Sequence, residues 1–154
     1  MNSRCEIRAA LSEIDTHLRC HLRDRAYLIG SSAACLAGAA VEALDIDLMT
    51  SDEDAVRLEE AWATNRVASH LPADDQLFRS RFSRYAFTSM PVEIMGGLQV
   101  FYQGEWRAVE ISHAVELAGY SPFLSLPTVA EQLRVLDMFG RAKDARRAGL
   151  LRRV

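Results

Sequence analysis

Asp45 and Asp47, one residue apart, are the residues whose type and spacing point most directly to chemistry. In an extended strand alternate side chains share a face, so the two carboxylates point one way while Leu44, Ile46 and Leu48 point the other. Two ionised carboxylates this close repel each other, and a hard, oxygen-seeking cation such as Mg²⁺ relieves the repulsion. The solvent side of an ordinary amphipathic strand can carry the same pattern, so the neighbouring residues decide its meaning. Upstream, Tyr27, Leu28 and Ile29 lead into Gly30-Ser31-Ser32 and then into a small-residue helix from Ala33 to Ala40. Glycine permits close backbone approach, and a helix N-terminus with a hydroxyl offers donors to phosphate. Downstream, Val92-Glu93-Ile94 repeats an acid between two core residues, so Glu93 could present a third carboxylate from an adjacent strand, although by itself it reads as an exposed strand residue. A phosphate-holding turn followed by carboxylates on one side of a strand is the skeleton of a metal-dependent site for a nucleoside triphosphate.

Such a site needs a sheet to hold it, and the remaining sequence supplies the parts. Ile7, Leu11, Ile14, Leu18 and Leu22 recur at helical spacing and predict an amphipathic helix over 3–23. Strands are expected at 26–29 and 45–49, followed by an acidic helix over 52–65 capped by Ser51 and presenting Val56, Leu58 and Trp62. The runs at 78–87, 90–97, 98–102 and 105–111 are short and β-rich, broken by Pro91, Gly96-Gly97 and Gly104, and read as an antiparallel extension of the sheet. A short helix is expected from Ser112 to Gly119. Thr128 with Glu131 forms a capping box for a helix reaching Phe139, and a basic helix follows Gly140. The expected architecture is α+β: one domain over 1–154, a mixed sheet flanked by helices with its core at about 26–111, closed by a C-terminal helical part at about 112–154.

Composition sets the boundaries of the functional reading. The chain has 154 residues, 49% of them hydrophobic and 25% charged, which fits a globular domain able to bury about 70% of its unfolded surface. A net charge of −3 argues against indiscriminate nucleic-acid binding, which relies on an excess of Lys and Arg. Cys5, Cys20 and Cys35 form neither a disulfide framework nor a Cys-x-x-Cys pair, so a reducing, cytoplasmic setting is expected. The N-terminal segment alternates charged and apolar residues, so no membrane association is expected.

The order Gly30-Ser31, then Leu44-Asp45-Ile46-Asp47-Leu48, then Glu93 resembles the polymerase-beta-like nucleotidyltransferase superfamily. The closing segment GRAKDARRAGLL, from Gly140 to Leu151, is similar to the Arg-x-Lys-Asp helix of small bacterial members, including toxin-like ones of toxin-antitoxin and abortive-infection systems. The resemblance spans about Ala26 to Leu151. It implies a nucleotidyltransferase fold in which Asp45, Asp47 and Glu93 ligate Mg²⁺ or Mn²⁺ and carry the catalysis. It further implies that Gly30, Ser31 and Ser32, with Lys143, hold the triphosphate of an NTP substrate. The acceptor would be a hydroxyl of an RNA end, a protein or a small molecule, and a homodimer or partner protein could complete the site. The chain departs from the pattern in three places: Glu93 where Asp is more usual, Arg146 and Arg147 near the place of a second helix acid, and Arg134 where relatives often carry lysine. These departures motivate a second reading, a catalytically degenerate fold that works as a nucleotide-binding or regulatory module.

Other segments also carry residue types capable of binding or chemistry. FRSRFSRY interleaves Arg79, Arg81 and Arg84 with Phe78, Phe82 and Tyr85, which suits either single-stranded nucleic acid or a strand with one buried face, and its arginines could face the triphosphate or an acceptor. His17, Cys20 and His21 share a helix but lack the glutamate of a His-Glu-x-x-His site. Asp45 to Val56 fails as a calcium loop, with Thr50 where the turn needs Gly and Val56 where the loop needs Glu. P-loop, Gly-x-Gly-x-x-Gly and Gly-x-Ser-x-Gly motifs are absent.

Overall fold

The protein is described by a computed structural model over residues 3–68, 71–72 and 74–154. In chain order the elements are α1 (Ser3–His21), β1 (Ala26–Ile29), α2 (Gly30–Ala37), β2 (Ile46–Thr50) and α3 (Asp52–Ala61), then β3 (Phe78–Tyr85), β4 (Val92–Tyr102), β5 (Glu105–Ala108), β6 (Ala114–Glu116) and β7 (Leu124–Pro127), and finally α4 (Val129–Phe139) and α5 (Ala142–Leu151). The strands form one sheet in the order β3-β4-β2-β1-β7-β6, with β5 paired to the far half of β4. β1 runs antiparallel to β2 and parallel to β7, while β2 and β4 are parallel, so the sheet is mixed as expected. No helix among the described residues is long and apolar enough to cross a membrane.

The larger core lies on one face of the sheet. The helical stripe Ile7, Leu11, Ile14 and Leu18 of α1 is fully buried against Leu28, Ile46, Leu48, Val92 and Ile94. Each such side chain contributes about 1.5–3 kcal/mol by leaving water. Trp62, just past α3, packs edge-on against Tyr85 and Phe87 with ring centroids 5.1 Å apart in both pairs. The opposite face carries a smaller cluster, Ile29, Met49, Leu98, Val100, Val135 and Phe139, on which α4 sits. The strip of that face beyond the cluster carries Asp45, Asp47 and Glu93.

Three expectations are corrected. Gly96-Gly97 does not break a strand: β4 is continuous from Val92 to Tyr102 and takes up one extra residue opposite β3, between the pairs Arg79–Gln99 and Arg81–Gly96. Gly97 adopts a φ of 58°, and the bulge moves Leu98 and Val100 onto the face that carries Met95. The helix expected at 112–119 is instead the edge strand β6, because residues 114–116 pair with β7 and the ladder overrides a weak local helix preference. β7 is buried along its whole length inside the sheet, so it lacks the alternation that marks a half-buried strand. Leu44 does not join the apolar face of β2: it lies in a bend before the strand and is 74% exposed.

Gly96 marks where α3 meets β4. A Cβ at that position would lie 2.7 Å from the Ala55 Cβ and 3.2 Å from the Asp52 Cα, neither of which is a flexible side-chain end. Gly96→Ala should therefore cost about 1–3 kcal/mol through overpacking, read as a lower urea midpoint. An unchanged midpoint would show that α3 can move off the sheet freely.

Candidate active site

The register of the sheet brings the acids together. Across four neighbouring strands, Ile29 stands opposite Asp47, Asp47 opposite Glu93, and Glu93 opposite Arg84. Asp45, one residue before β2, shares the side of Asp47. One carboxylate oxygen each from Asp45, Asp47 and Glu93 lie within 4.8 Å of one another, and all three residues are half-buried. An octahedral Mg²⁺ with bonds of about 2.1 Å spaces its ligand oxygens by roughly 3–4 Å, so this all-oxygen, anionic set fits a hard divalent cation after small side-chain adjustments.

Above Asp47 the chain turns from β1 into α2. Gly30 has a φ of 69°, and a Cβ there would lie 2.7 Å from the Asp47 Oδ2, so both conformation and space require glycine. The N-terminus of α2 has no side-chain cap, which leaves its first N–H groups available beside Ser31. Ser32 differs: its side chain is fully buried and its hydroxyl donates to the Ile29 carbonyl at 3.2 Å, so only its backbone could face a ligand.

Cations reach the acids from two directions. The Arg84 Nη1 lies 3.2 Å from the Asp45 Oδ2 and also donates to the Glu93 Oε1. From α5, the Arg147 Nη2 donates to the Ser31 Oγ at 2.7 Å, and the Arg147 Nε is buried without a hydrogen-bond partner. Asp144, fully buried, fixes this helix. It accepts from the Arg141 backbone N–H at 3.2 Å and the Arg141 Nε at 2.6 Å, and it lies 3.5 Å from the Arg147 Nη1. Lys143 is exposed one turn before Arg147, close enough for its charge to act on Asp47. Burial, then the charges of Asp45 and Glu93, pushes the Asp47 carboxyl up to about 8, against the pull of Arg147 and Lys143. Burial also lowers the Arg147 guanidinium below the ordinary arginine range, partly offset by Asp144, Asp47 and Asp45.

Asp45, Asp47, Glu93, Gly30 and Ser31 thus converge, with Lys143 at the margin. Of the arginines in β3, Arg84 faces the acids. Arg79 instead stacks 3.9 Å over the Trp106 ring, and Arg81 pairs with Glu59 on α3 at 2.9 Å. Arg134 is held by Glu131 and the Glu110 carbonyl, not by this site. His17 accepts from the Trp62 indole, and no metal-ligand cluster among the described residues includes it, Cys20 or His21. Arg147 is the site neighbour that sequence reasoning passes over, although it lies one helical turn from Lys143 and so on the same face.

By structure, the chain matches the Thermotoga maritima protein TM1012, provisionally described as a nucleotidyltransferase, with a TM-score of 0.72 and 22% identity over 93% of this chain and 90% of that one. The fold is that of a nucleotidyltransferase. The antibiotic-resistance factor ANT(2'')-Ia also matches, with a TM-score of 0.52 and 13% identity over 98% of this chain and 84% of that one. Neither a protein-family model nor a curated protein sequence matches the chain. The nucleotidyltransferase fold thus accounts for the mixed sheet and the flanking helices.

The raised Asp47 pKa has a consequence for stability. A carboxyl that folding pushes from 3.8 to about 8 keeps its proton in the native state after the unfolded chain has lost it. Its stabilising contribution is full below the unfolded value and is lost as pH rises through the folded one. With a chelator present, the unfolding temperature should fall from about pH 4 to about pH 8, and Asp47→Asn should flatten most of that fall. An equal slope in the variant would place the titrating group elsewhere.

Proposed function

We propose that the chain is a metal-dependent nucleotidyltransferase, moving a nucleoside monophosphate from a nucleoside triphosphate to a hydroxyl of an RNA end, a protein or a small molecule. The observation that carries this reading is the carboxylate set within 4.8 Å, seated under the glycine turn of an uncapped helix. In this reading Asp45, Asp47 and Glu93 ligate Mg²⁺ or Mn²⁺. The α2 N–H groups at Gly30, Ser31 and Ser32, the Ser31 hydroxyl, Lys143 and Arg147 hold the triphosphate. The acceptor oxygen bonds to the α-phosphorus, the bond to the bridging oxygen breaks, pyrophosphate leaves and the hydroxyl proton is released. The metal, when bound, supplies charge neutralisation for the attacking and leaving oxygens. The protein's own share is positioning: two rigid strands set the acids, and α5 brings its cations to the phosphate end.

The reading takes residues 1–154 as one working domain in the cytoplasm, in which the C-terminal helices close over the 26–111 core. A place among small toxin-antitoxin-like members rests on the Arg-x-Lys-Asp segment alone. In this reading a homodimer or a partner protein could complete the site for the acceptor.

A second reading, a degenerate fold serving as a nucleotide-binding or regulatory module, is favoured by one observation: the Arg84 guanidinium already bridges Asp45 and Glu93. Calorimetry separates the two, because NTP binding that ignores Mg²⁺ and leads to no turnover supports the module. For the enzyme, incubation with labelled NTPs, Mg²⁺ or Mn²⁺, and tRNA or protein acceptors should transfer label, and Asp47→Asn should cut transfer at least about 100-fold. Transfer untouched by that change would remove the acids from the mechanism. Arg147→Ala should raise the KM for NTP by about tenfold or more with a smaller change in kcat, as expected for loss of a charge-assisted contact made in the ground state.

A further inference from the structure

We propose that Arg84 is a built-in counter-ion for the acidic set, releasing Asp45 and Glu93 when divalent metal arrives and pairing with the triphosphate instead, so that metal and nucleotide bind as a coupled pair. The inference rests on the reading of Asp45, Asp47 and Glu93 as metal ligands.

The geometry is specific. Arg84 stands directly opposite Glu93 in the β3–β4 ladder, and its neighbours Ser83 and Tyr85 are buried on the other face. The backbone is therefore fixed, and only the side chain has to move. One nitrogen, Nη1, serves both carboxylates, lying 3.2 Å from the Asp45 Oδ2 and donating to the Glu93 Oε1. A cation shared between two acids occupies the position that a metal bridging them would need, and the two exclude each other by charge and by volume. The Arg84 side chain is 21% exposed, so it is not sealed in the core and can swing toward solvent.

Charge balance shows why metal and nucleotide would arrive together. Asp45, Asp47 and Glu93 face Arg84, Lys143 and Arg147, so the acids have no excess of negative charge over the cations around them. Metal alone adds positive charge to a half-buried cluster with no excess of negative charge and has to displace Arg84 with nothing to receive it. Nucleotide alone brings about four negative charges toward three carboxylates. Two divalent cations with one NTP add about zero net charge, and the triphosphate oxygens give the displaced guanidinium a better, bidentate partner. Each ligand thus removes the penalty of the other, which is a coupling free energy with the same magnitude in both directions.

The test reads binding and not turnover. Mn²⁺ affinity is measured by electron paramagnetic resonance or calorimetry, with and without a non-reacting NTP analogue, for the native chain, Arg84→Met and Arg84→Gln. In the native chain the analogue should tighten Mn²⁺ binding by about tenfold or more. Arg84→Met should bind Mn²⁺ alone about tenfold tighter than the native chain, bind the analogue more weakly, and show little coupling. Arg84→Gln, which keeps hydrogen bonding without charge, should behave likewise, and Arg84→Lys should restore part of the coupling. A merely structural ion pair would not tighten metal binding when removed. Unchanged Mn²⁺ affinity and unchanged coupling in both neutral variants, each shown to be folded by circular dichroism, would overturn the role of Arg84 while leaving the metal site standing. Mn²⁺ binding absent from the native chain and the variants, with and without the analogue, would overturn the metal-site reading itself and this inference with it.

Discussion

Carboxylates within 4.8 Å of one another repel, and the arrangement of this protein around Asp45, Asp47 and Glu93 can be understood as the means of holding them there. Backbone pairing sets the positions: the parallel ladder of β2 and β4 puts Asp47 beside Glu93, and side-chain rotation cannot undo that register. Compensation comes from distant parts of the chain. Arg84 acts across β4, and Arg147 reaches Ser31 over 116 residues of sequence. The closing helix is thereby tied to the site by charge as well as by the packing of Ala148 and Leu151 against Ala34 and Leu136.

The two faces of the sheet divide the work. On one face α1 and α3 bury a largely apolar layer against the centre of the sheet, and this layer supplies the rigidity on which a site of fixed geometry depends. On the other, α4 covers part of the surface and leaves the acids accessible. The bulge at Gly97 lets one long strand take part in both: its first half presents Glu93 beside Asp47, and its second half turns Leu98 and Val100 into the cluster under α4. Asp144, which places the cations of α5, makes its contacts within that helix and its cap, so the start of α5 is organised locally.

Much of this was legible in the sequence because it depended on short-range rules. Strict alternation in Asp45-Ile46-Asp47 and Val92-Glu93-Ile94 gave the face of each acid, and Gly30 marked the turn over them. Alternation failed where the chain leaves the ladder, as at Leu44, or where both faces of a strand are buried, as in β7. The glycine pair at 96–97 was ambiguous for a physical reason: a bulge and a break use the same residue, and only the partner strand decides between them. The role of Arg84 was hidden because the pattern of β3 gives the side on which that residue lies, not its register against Glu93. The fold was therefore more legible than the charge balance, since the latter depends on pairings between strands and across the whole chain.

The central claim is that the three carboxylates form one metal-binding centre used together with a nucleoside triphosphate. Anomalous diffraction from crystals grown with Mn²⁺ and a non-reacting NTP analogue tests it most directly. The account predicts one or two anomalous peaks within about 2.3 Å of oxygens from Asp45, Asp47 and Glu93, with the triphosphate lying against Gly30 and Ser31. Bound analogue with no peak at the carboxylates, and with Arg84 still bridging Asp45 and Glu93, would contradict it.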